Sequence, residues 1–346
     1  MEEAAISRSS PLDRLSVSVT YANVLLDLLA ERGLSQADLL AETGIDADQL
    51  TQVDGKITSA QFIVLVERGL AHTGDTNLGV WFGLKLKIST HGYVGYAALS
   101  SATLGEAIQM AAKYFATRLS VMRVSFFEEA DEAVIQVDST ETLPQDVERF
   151  LLQSFFTSFG VMGENLIGEV PEQARSFCTY SRFDEDPALA KRFQGREPVF
   201  DQPVNQIRLP KALLAMPLDM SDPISHQLME EQCRKELEAI EASGDLLLKV
   251  RQLISSEPGR FPKLEEVAEK CFMSSRTFKR RLADIGTSYQ ELVDSERQKK
   301  AMNYLKHTNK TVDEIALLLG YNDPSNFGRA FKRWLGTTPT QFRNQI

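Results

Sequence analysis

Cysteine is scarce in this 346-residue chain, and the three present (Cys178, Cys233, Cys271) lie far apart with no CxxC pair. An odd, scattered set argues against a disulfide framework or a cysteine-built zinc site, and it fits a reducing compartment. Histidine is also rare, and neither His72 nor His307 has a carboxylate or histidine four residues on, so no helical metal-ligand pair is read there. The catalytic fingerprints GxSxG, GxGxxG and GxxxxGK[ST] are missing, which leaves an enzyme reading without residues to name and gives no reason to expect a cofactor. No apolar run approaches the roughly 20 residues that span a bilayer. The start, Met1-Glu2-Glu3-Ala4-Ala5, lacks the basic and apolar regions of a signal peptide. The expectation is a cytoplasmic, nucleoid-associated protein with no membrane contact.

What is present is an uneven distribution of charge. The net charge of −10 speaks against nucleic acid, but residues 244–346 hold 18 Lys and Arg against 12 Asp and Glu, while the preceding residues hold 20 against 36. A basic segment of about a hundred residues behind an acidic body points to one domain for a polyanion and another for a different partner.

Hydrophobic periodicity divides the chain in the same place. Before about residue 240, helical patterns (Tyr21–Arg32, Ala60–His72, Asn77–Leu86, a helix opened by Thr103 and Glu106, Gln145–Leu166) mix with strand patterns. A hairpin is read around Glu129-Ala130-Asp131, and further strands at Arg175–Arg182, Pro198–Phe200 and Gln206–Leu209, around a helix at Pro187–Gln194. After a polar helical connector at Ser221–Ser243, only helices follow. The fold class expected is an α+β N-terminal effector and association domain (1–235), a linker (236–243) and an all-α double helix-turn-helix domain (244–346).

That last segment is internally duplicated. Leu264–Ala268, a turn at Phe272-Met273 and Ser274–Leu282 repeat as Val312–Ala316, a turn at Gly320-Tyr321 and Asp323–Arg333. In each second helix apolar residues recur four apart (Phe278 and Leu282; Phe327 and Phe331), so one stripe packs and the opposite face is free. The free face carries Arg276, Thr277, Lys279 and Arg280 in the first unit and Ser325, Asn326, Arg329 and Lys332 in the second, residue types that read base edges and hold phosphates. Ser274 and Asp323 cap these helices and leave N-terminal amides pointing outward, where phosphate oxygens bind. Tyr289–Leu305 between the units makes roughly 25 Å of helix. A strut of that length suits two recognition helices set about one duplex turn apart, roughly 34 Å. Double-stranded promoter DNA is the partner these features imply.

Ile315-Ala316, Gly320-Tyr321, Phe327, Arg329, Phe331-Lys332, Gly336 and Thr338-Pro339 with Phe342 closely resemble the signature of AraC/XylS-type bacterial transcription regulators, over about residues 245–346. The resemblance implies that the second helix of each unit enters the major groove. It places base contacts at Arg276, Lys279 and Arg280, and at Ser325, Asn326 and Arg329. It also implies RNA polymerase as a partner and activation as the sign of control. Two departures stand out: Arg280-Arg281 makes the first helix unusually basic, and Pro324 and Gly328 lower the intrinsic stability of the second. The front of the chain, through Gly92–Ala98, Ser101–Ala107, Pro198–Phe200, Asn205–Ile207 and Leu213–Pro217, resembles the arabinose-binding-type N-terminal domain found in ornithine-utilisation regulators.

Three other features have competing readings. Leu34–Ile45 looks like a further helix-turn-helix, but Gly33–Gly55 contains five Asp or Glu and no Lys or Arg, a sign that repels phosphate. Trp81, His91, Tyr93, Tyr96 and Tyr114 are candidates for a small-molecule effector pocket, against the plainer reading as core aromatics. Arg118 and Arg123 read as surface ion-pair residues, or alternatively as a clamp on a ligand carboxylate. The overall expectation is a homodimeric regulator controlled by a signal at its N-terminal domain; the alternative makes that half purely a dimerisation or protein-docking module.

Overall fold

The computed structural model describes residues 11–52, 54–168, 171–182, 186–189, 198–242, 246–255, 261–271, 273–307, 310–321 and 323–344. The chain divides into two compact units that meet in sequence at Ala242.

The front unit opens with a helical turn, α1 (Pro11–Arg14), and strand β1 (Ser16–Ser18). The Ser18 hydroxyl accepts from the Thr20 amide and starts α2 (Val19–Ala30), which buries Tyr21, Ala22, Leu25, Leu26, Leu28 and Leu29. Two short helices, α3 (Gln36–Leu40) and α4 (Ala47–Leu50), are capped by Ser35 and Asp46 and lead to β2 (Lys56–Thr58), which pairs antiparallel with β1. A reciprocal box of Thr58 and Gln61 begins α5 (Ser59–Thr73). Helices α6 (Leu78–Lys85), α7 (Gly92–Leu99) and α8 (Leu104–Tyr114) precede a hairpin of β3 (Met122–Glu129) and β4 (Glu132–Ser139), followed by the long helix α9 (Gln145–Ile167). Strands β5 (Arg175–Phe177) and β6 (Gln206–Pro210) complete an antiparallel sheet of order β3-β4-β6-β5, with Ile135 opposite Ile207 and Ile207 opposite Ser176. Central strand β4 buries the run Ala133-Val134-Ile135.

Helix α6 lies against α9 through two glycines. A Cβ at Gly79 would press on the Phe150 carbonyl oxygen, and one at Gly83 would come within 2.8 Å of the Ser154 carbonyl oxygen. Only glycine allows that approach, and it brings Phe82 to stack on Phe150 with ring centroids 5.3 Å apart.

The last helix of this unit, α10 (Pro223–Ala242), packs on α7 and α8 through Cys233, which is buried with Val94, Ala97, Met110 and Tyr114. Residues 236–242, read from sequence as a linker, are the end of this helix.

The sheet differs from the sequence reading in three respects. The strand expected over Arg175–Arg182 is only three residues long. Pro198–Phe200 contributes a single bridge, Val199 to Phe177. The helix expected at Pro187–Gln194 lies mostly outside the described residues.

The back unit is all helical: α11 (Leu246–Ser255), α12 (Leu264–Lys270), α13 (Ser275–Asp284), α14 (Tyr289–His307), α15 (Val312–Leu318), α16 (Pro324–Leu335) and α17 (Pro339–Asn344). It has two cores. Leu246, Val250, Ile254, Val267, Phe278 and Leu282 form one; Ile315, Ala316, Leu319, Phe327 and Phe331 form the other. Helix α14 joins them, giving Leu292 and Val293 to the first and Ala301 and Leu305 to the second. Its 19 residues span roughly 28 Å. Midway, the Arg297 guanidinium lies 4.6 Å from the ring centroids of both Phe261 and Tyr321, and its Nε donates to the Leu319 carbonyl. One cation therefore clasps the two halves together.

Among the described residues no helix is long and apolar enough to cross a membrane, and no cluster of His, Cys, Asp and Glu could hold a metal.

Candidate functional sites

Helices α13 and α16 present the two basic faces. The Ser274 hydroxyl accepts from the Thr277 amide at 3.2 Å and Asp323 accepts from the Ser325 amide at 2.8 Å, so both helices begin with the caps expected from sequence. That backbone bond, with Arg329 adding to it, holds the Asp323 carboxyl below the usual carboxylate range. Pro324 occupies the first helical turn behind Asp323, where a missing N–H breaks no hydrogen bond. It is therefore no burden on α16, contrary to the expectation from composition. Gly328 faces open space.

Phe278 and Leu282 are buried on α13, as are Phe327 and Phe331 on α16. The opposite faces expose Arg276, Lys279 and Arg280, with Thr277 half-buried, and Ser325, Asn326, Arg329 and Lys332. Thr277 and Ser274 share a hydroxyl–hydroxyl contact of 3.0 Å, and Arg329 Nη2 donates to Asn326 Oδ1 at 2.7 Å, holding the guanidinium along the helix. Arg276, Lys279, Arg280 and Lys332 form no ion pair among the described residues, whereas their neighbour Arg333 is tied to Asp294 on α14. All nine residues singled out from sequence thus lie on, or cap, these two helices.

The front unit contains a cavity of about 30 Å³ between α2, α5, α6 and α9. Phe62, Phe82 and Phe155 contribute to its walls, and Tyr21 and His91 bring polar atoms to it. His91 Nδ1 and the Tyr21 phenol are 2.7 Å apart. Burial pushes the phenol up to about 12, so it stays protonated. Burial, with Arg118 adding to it, lowers His91 to about 4, so the ring is neutral. The other ring nitrogen, Nε2, is buried and has no hydrogen-bond partner among the described residues.

Behind this pair lies Arg118. Both sequence readings placed it at the surface or on a ligand, but it is buried: Nη2 donates to the Ser18 hydroxyl at 2.7 Å, and Nη1 stands 3.7 Å from Glu236 on α10. A buried guanidinium needs such partners, and they come from residues a hundred or more positions away that no local pattern links to it. Arg123 pairs with Asp138 across the hairpin.

Of the five aromatic candidates only His91 lines the cavity. Tyr93 and Tyr114 pack with Val94 and Cys233 under α10, Trp81 is half-buried, and Tyr96 is exposed. Tyr21 and Glu236 were missed.

Residues 33–218 match the family model described as the arabinose-binding domain of AraC transcription regulators at their N-terminus, and residues 267–345 match a helix-turn-helix domain. The ornithine utilization regulator of Pseudomonas aeruginosa is 34% identical over 331 residues, 94% of this chain and 96% of its own. The chain belongs to the AraC family of transcription regulators. An HTH-type regulator of Mycobacterium tuberculosis is 29% identical over 330 residues, 94% of this chain and 95% of its own. The crystal structure of the transcriptional regulator CdpR from P. aeruginosa aligns over 94% of this chain and 98% of its own, at 21% identity and a TM-score of 0.47. For an AraC-family chain the fold class expected from sequence holds, a mixed helix-and-sheet domain followed by a helical DNA-binding one. The relatives matched in the AraC family are transcription regulators.

Proposed function

We propose that this AraC-family protein is a promoter-bound regulator in which α13 and α16 enter successive major-groove segments on one face of the duplex. The observation that carries this is the pair of capped helices joined by one strut, each with a buried aromatic or aliphatic stripe and an opposite basic face on which Arg276, Lys279, Arg280 and Lys332 form no ion pair among the described residues. Arg276, Lys279 and Arg280 read one half-site; Ser325, Asn326 and Arg329 read the other. Ser274, Thr277 and Lys332, with the helix N-termini, hold phosphates. The front unit senses a small-molecule effector and shifts the population of DNA-competent states, recruiting RNA polymerase as an activator. A homodimer supports this, since two copies on adjacent sites raise each other's occupancy through effective concentration. Exposed Ile224 and Leu228, one turn apart on α10, offer an apolar face for the second copy.

The test is selection of bound sequences from a random duplex library by the full chain, repeated with Arg280→Ala and Arg329→Ala. Each substitution is expected to relax preference at single base positions and cost about 1–3 kcal/mol. Uniform weakening across all sequences would show that the arginine contacts phosphate and would sink its assignment.

A further inference from the structure

By residue type alone, Asn326 and Arg329 are readers of two different bases, since asparagine pairs with adenine and arginine with guanine. Their geometry on α16 joins them instead. Asp323, Asn326 and Arg329 follow one another at intervals of three, so each side chain lies beside the next on the exposed face. Arg329 Nη2 donates to Asn326 Oδ1 at 2.7 Å. A guanidinium carries no acceptor, so the amide atom that faces Nη2 is the oxygen and not the nitrogen. The Ser325 amide, with Arg329 adding to it, holds the Asp323 carboxyl low, which sets the guanidinium charge at the N-terminal end of the helix.

The Asn326–Arg329 bond changes what each side chain offers a base. Reading adenine takes both ends of an amide, the oxygen accepting from N6–H while the nitrogen donates to N7. Asn326 has its oxygen committed to a cation and keeps its amide hydrogens alone. Arg329 keeps the rest of its N–H donors, enough for O6 and N7 of guanine. The bond also draws the guanidinium back one turn, towards the end of a recognition helix that meets base edges. An unbraced arginine samples many rotamers, and a brace that removes them beforehand leaves less freedom to lose on contact.

We propose that Asn326 takes its part in reading the half-site as a positioning residue: it sets Arg329 to select one guanine and selects no adenine itself. The inference rests on the reading of α16 as a major-groove helix.

The experiment is selection from the random duplex library by the full chain, run with Asn326→Ala, Asn326→Asp, Arg329→Ala and the double alanine variant. Anisotropy titrations of the selected duplex and its single-base changes then give the preference at each position. Both residues are exposed, so urea midpoints should match the parent. Arg329→Ala is expected to lower the preference for guanine at one position by about tenfold or more. Asn326→Ala should lower it at that same position by roughly three- to tenfold. The double variant should be no worse there than Arg329→Ala alone, because the two residues act as one unit. Asn326→Asp, which keeps the acceptor, should retain the guanine preference while binding every duplex more weakly through its added negative charge.

If Asn326→Ala instead flattens a separate adenine position and leaves the guanine at full strength, Asn326 is a reader in its own right. The inference is then overturned with α16 still in the groove. Equal weakening on all sequences would make Asn326 a phosphate contact and overturn it too, as would an Asn326→Asp protein that loses guanine preference as far as the alanine variant does. An Arg329→Ala protein that selects the parent sequence unchanged would overturn the groove reading of α16 itself, and this inference with it.

Discussion

His91 shows how one side chain acquires chemistry from distant neighbours. Its ordinary pKa would leave it part-charged in mildly acidic solution, but burial and Arg118 hold it neutral down to about pH 4. A base whose folded pKa is depressed contributes stability above its unfolded value near 6.5, and that stability is lost as pH falls from 6.5 towards 4, because the unfolded chain takes up the proton first. The full effect is up to about 3 kcal/mol. Urea unfolding followed on Trp81, with Trp334→Phe to silence the other indole, should show stability falling through that window, and His91→Gln should flatten the slope there. An unchanged slope in the variant would assign the acid sensitivity to other groups. Cys233, pushed up to about 12 by burial and by Glu236, stays a thiol throughout and serves as packing under α10.

At the scale of elements, glycine acts in opposite ways in two helices. In α6 it is required by contact, and Gly79→Ala should force α6 from α9 at a cost of about 1–3 kcal/mol, read as a lower urea midpoint for the front unit. In α16 it is not: a methyl group at position 328 meets no other atom, so Gly328→Ala should stabilise the back unit by up to about 1 kcal/mol. If that more stable variant binds DNA less well, backbone at 328 lies close to the duplex.

Local signals made α13 and α16 legible in the sequence, since Ser274, Asp323 and the four-residue spacing of Phe278 with Leu282 all act within a turn or two. The hairpin at Ala130-Asp131 was legible for the same reason. Strands β1 and β2 were not, because three residues carry too little alternation. Nor was α7, whose Gly92 and Gly95 weaken any helical signal and whose formation depends on packing against α10. The place of β6 between β4 and β5 is a long-range pairing, and the Tyr21–His91–Arg118–Glu236 chain joins four separate stretches, so neither leaves a local trace.

Across the whole molecule, the acidic front and basic back set opposite terms in DNA affinity. About four phosphate contacts should weaken binding roughly a hundredfold between 50 and 200 mM salt. Fluorescence anisotropy on a duplex of selected sequence, read over that range, checks this, and a flat response would contradict the DNA interface as drawn.

The Arg297 clasp reaches further than stability. With Phe261 and Tyr321 gripped from both sides, the proposed reading helices keep a set separation, so the protein compares the distance between two half-sites as well as their letters. One inserted base pair moves the second half-site by about 3.4 Å and turns it by roughly 35°. A substituted letter costs one contact; an insertion or deletion between the half-sites costs a whole helix. Promoters under this regulator would thus drift in spelling while holding their spacing, and lineages would gain or lose its control mainly through small indels.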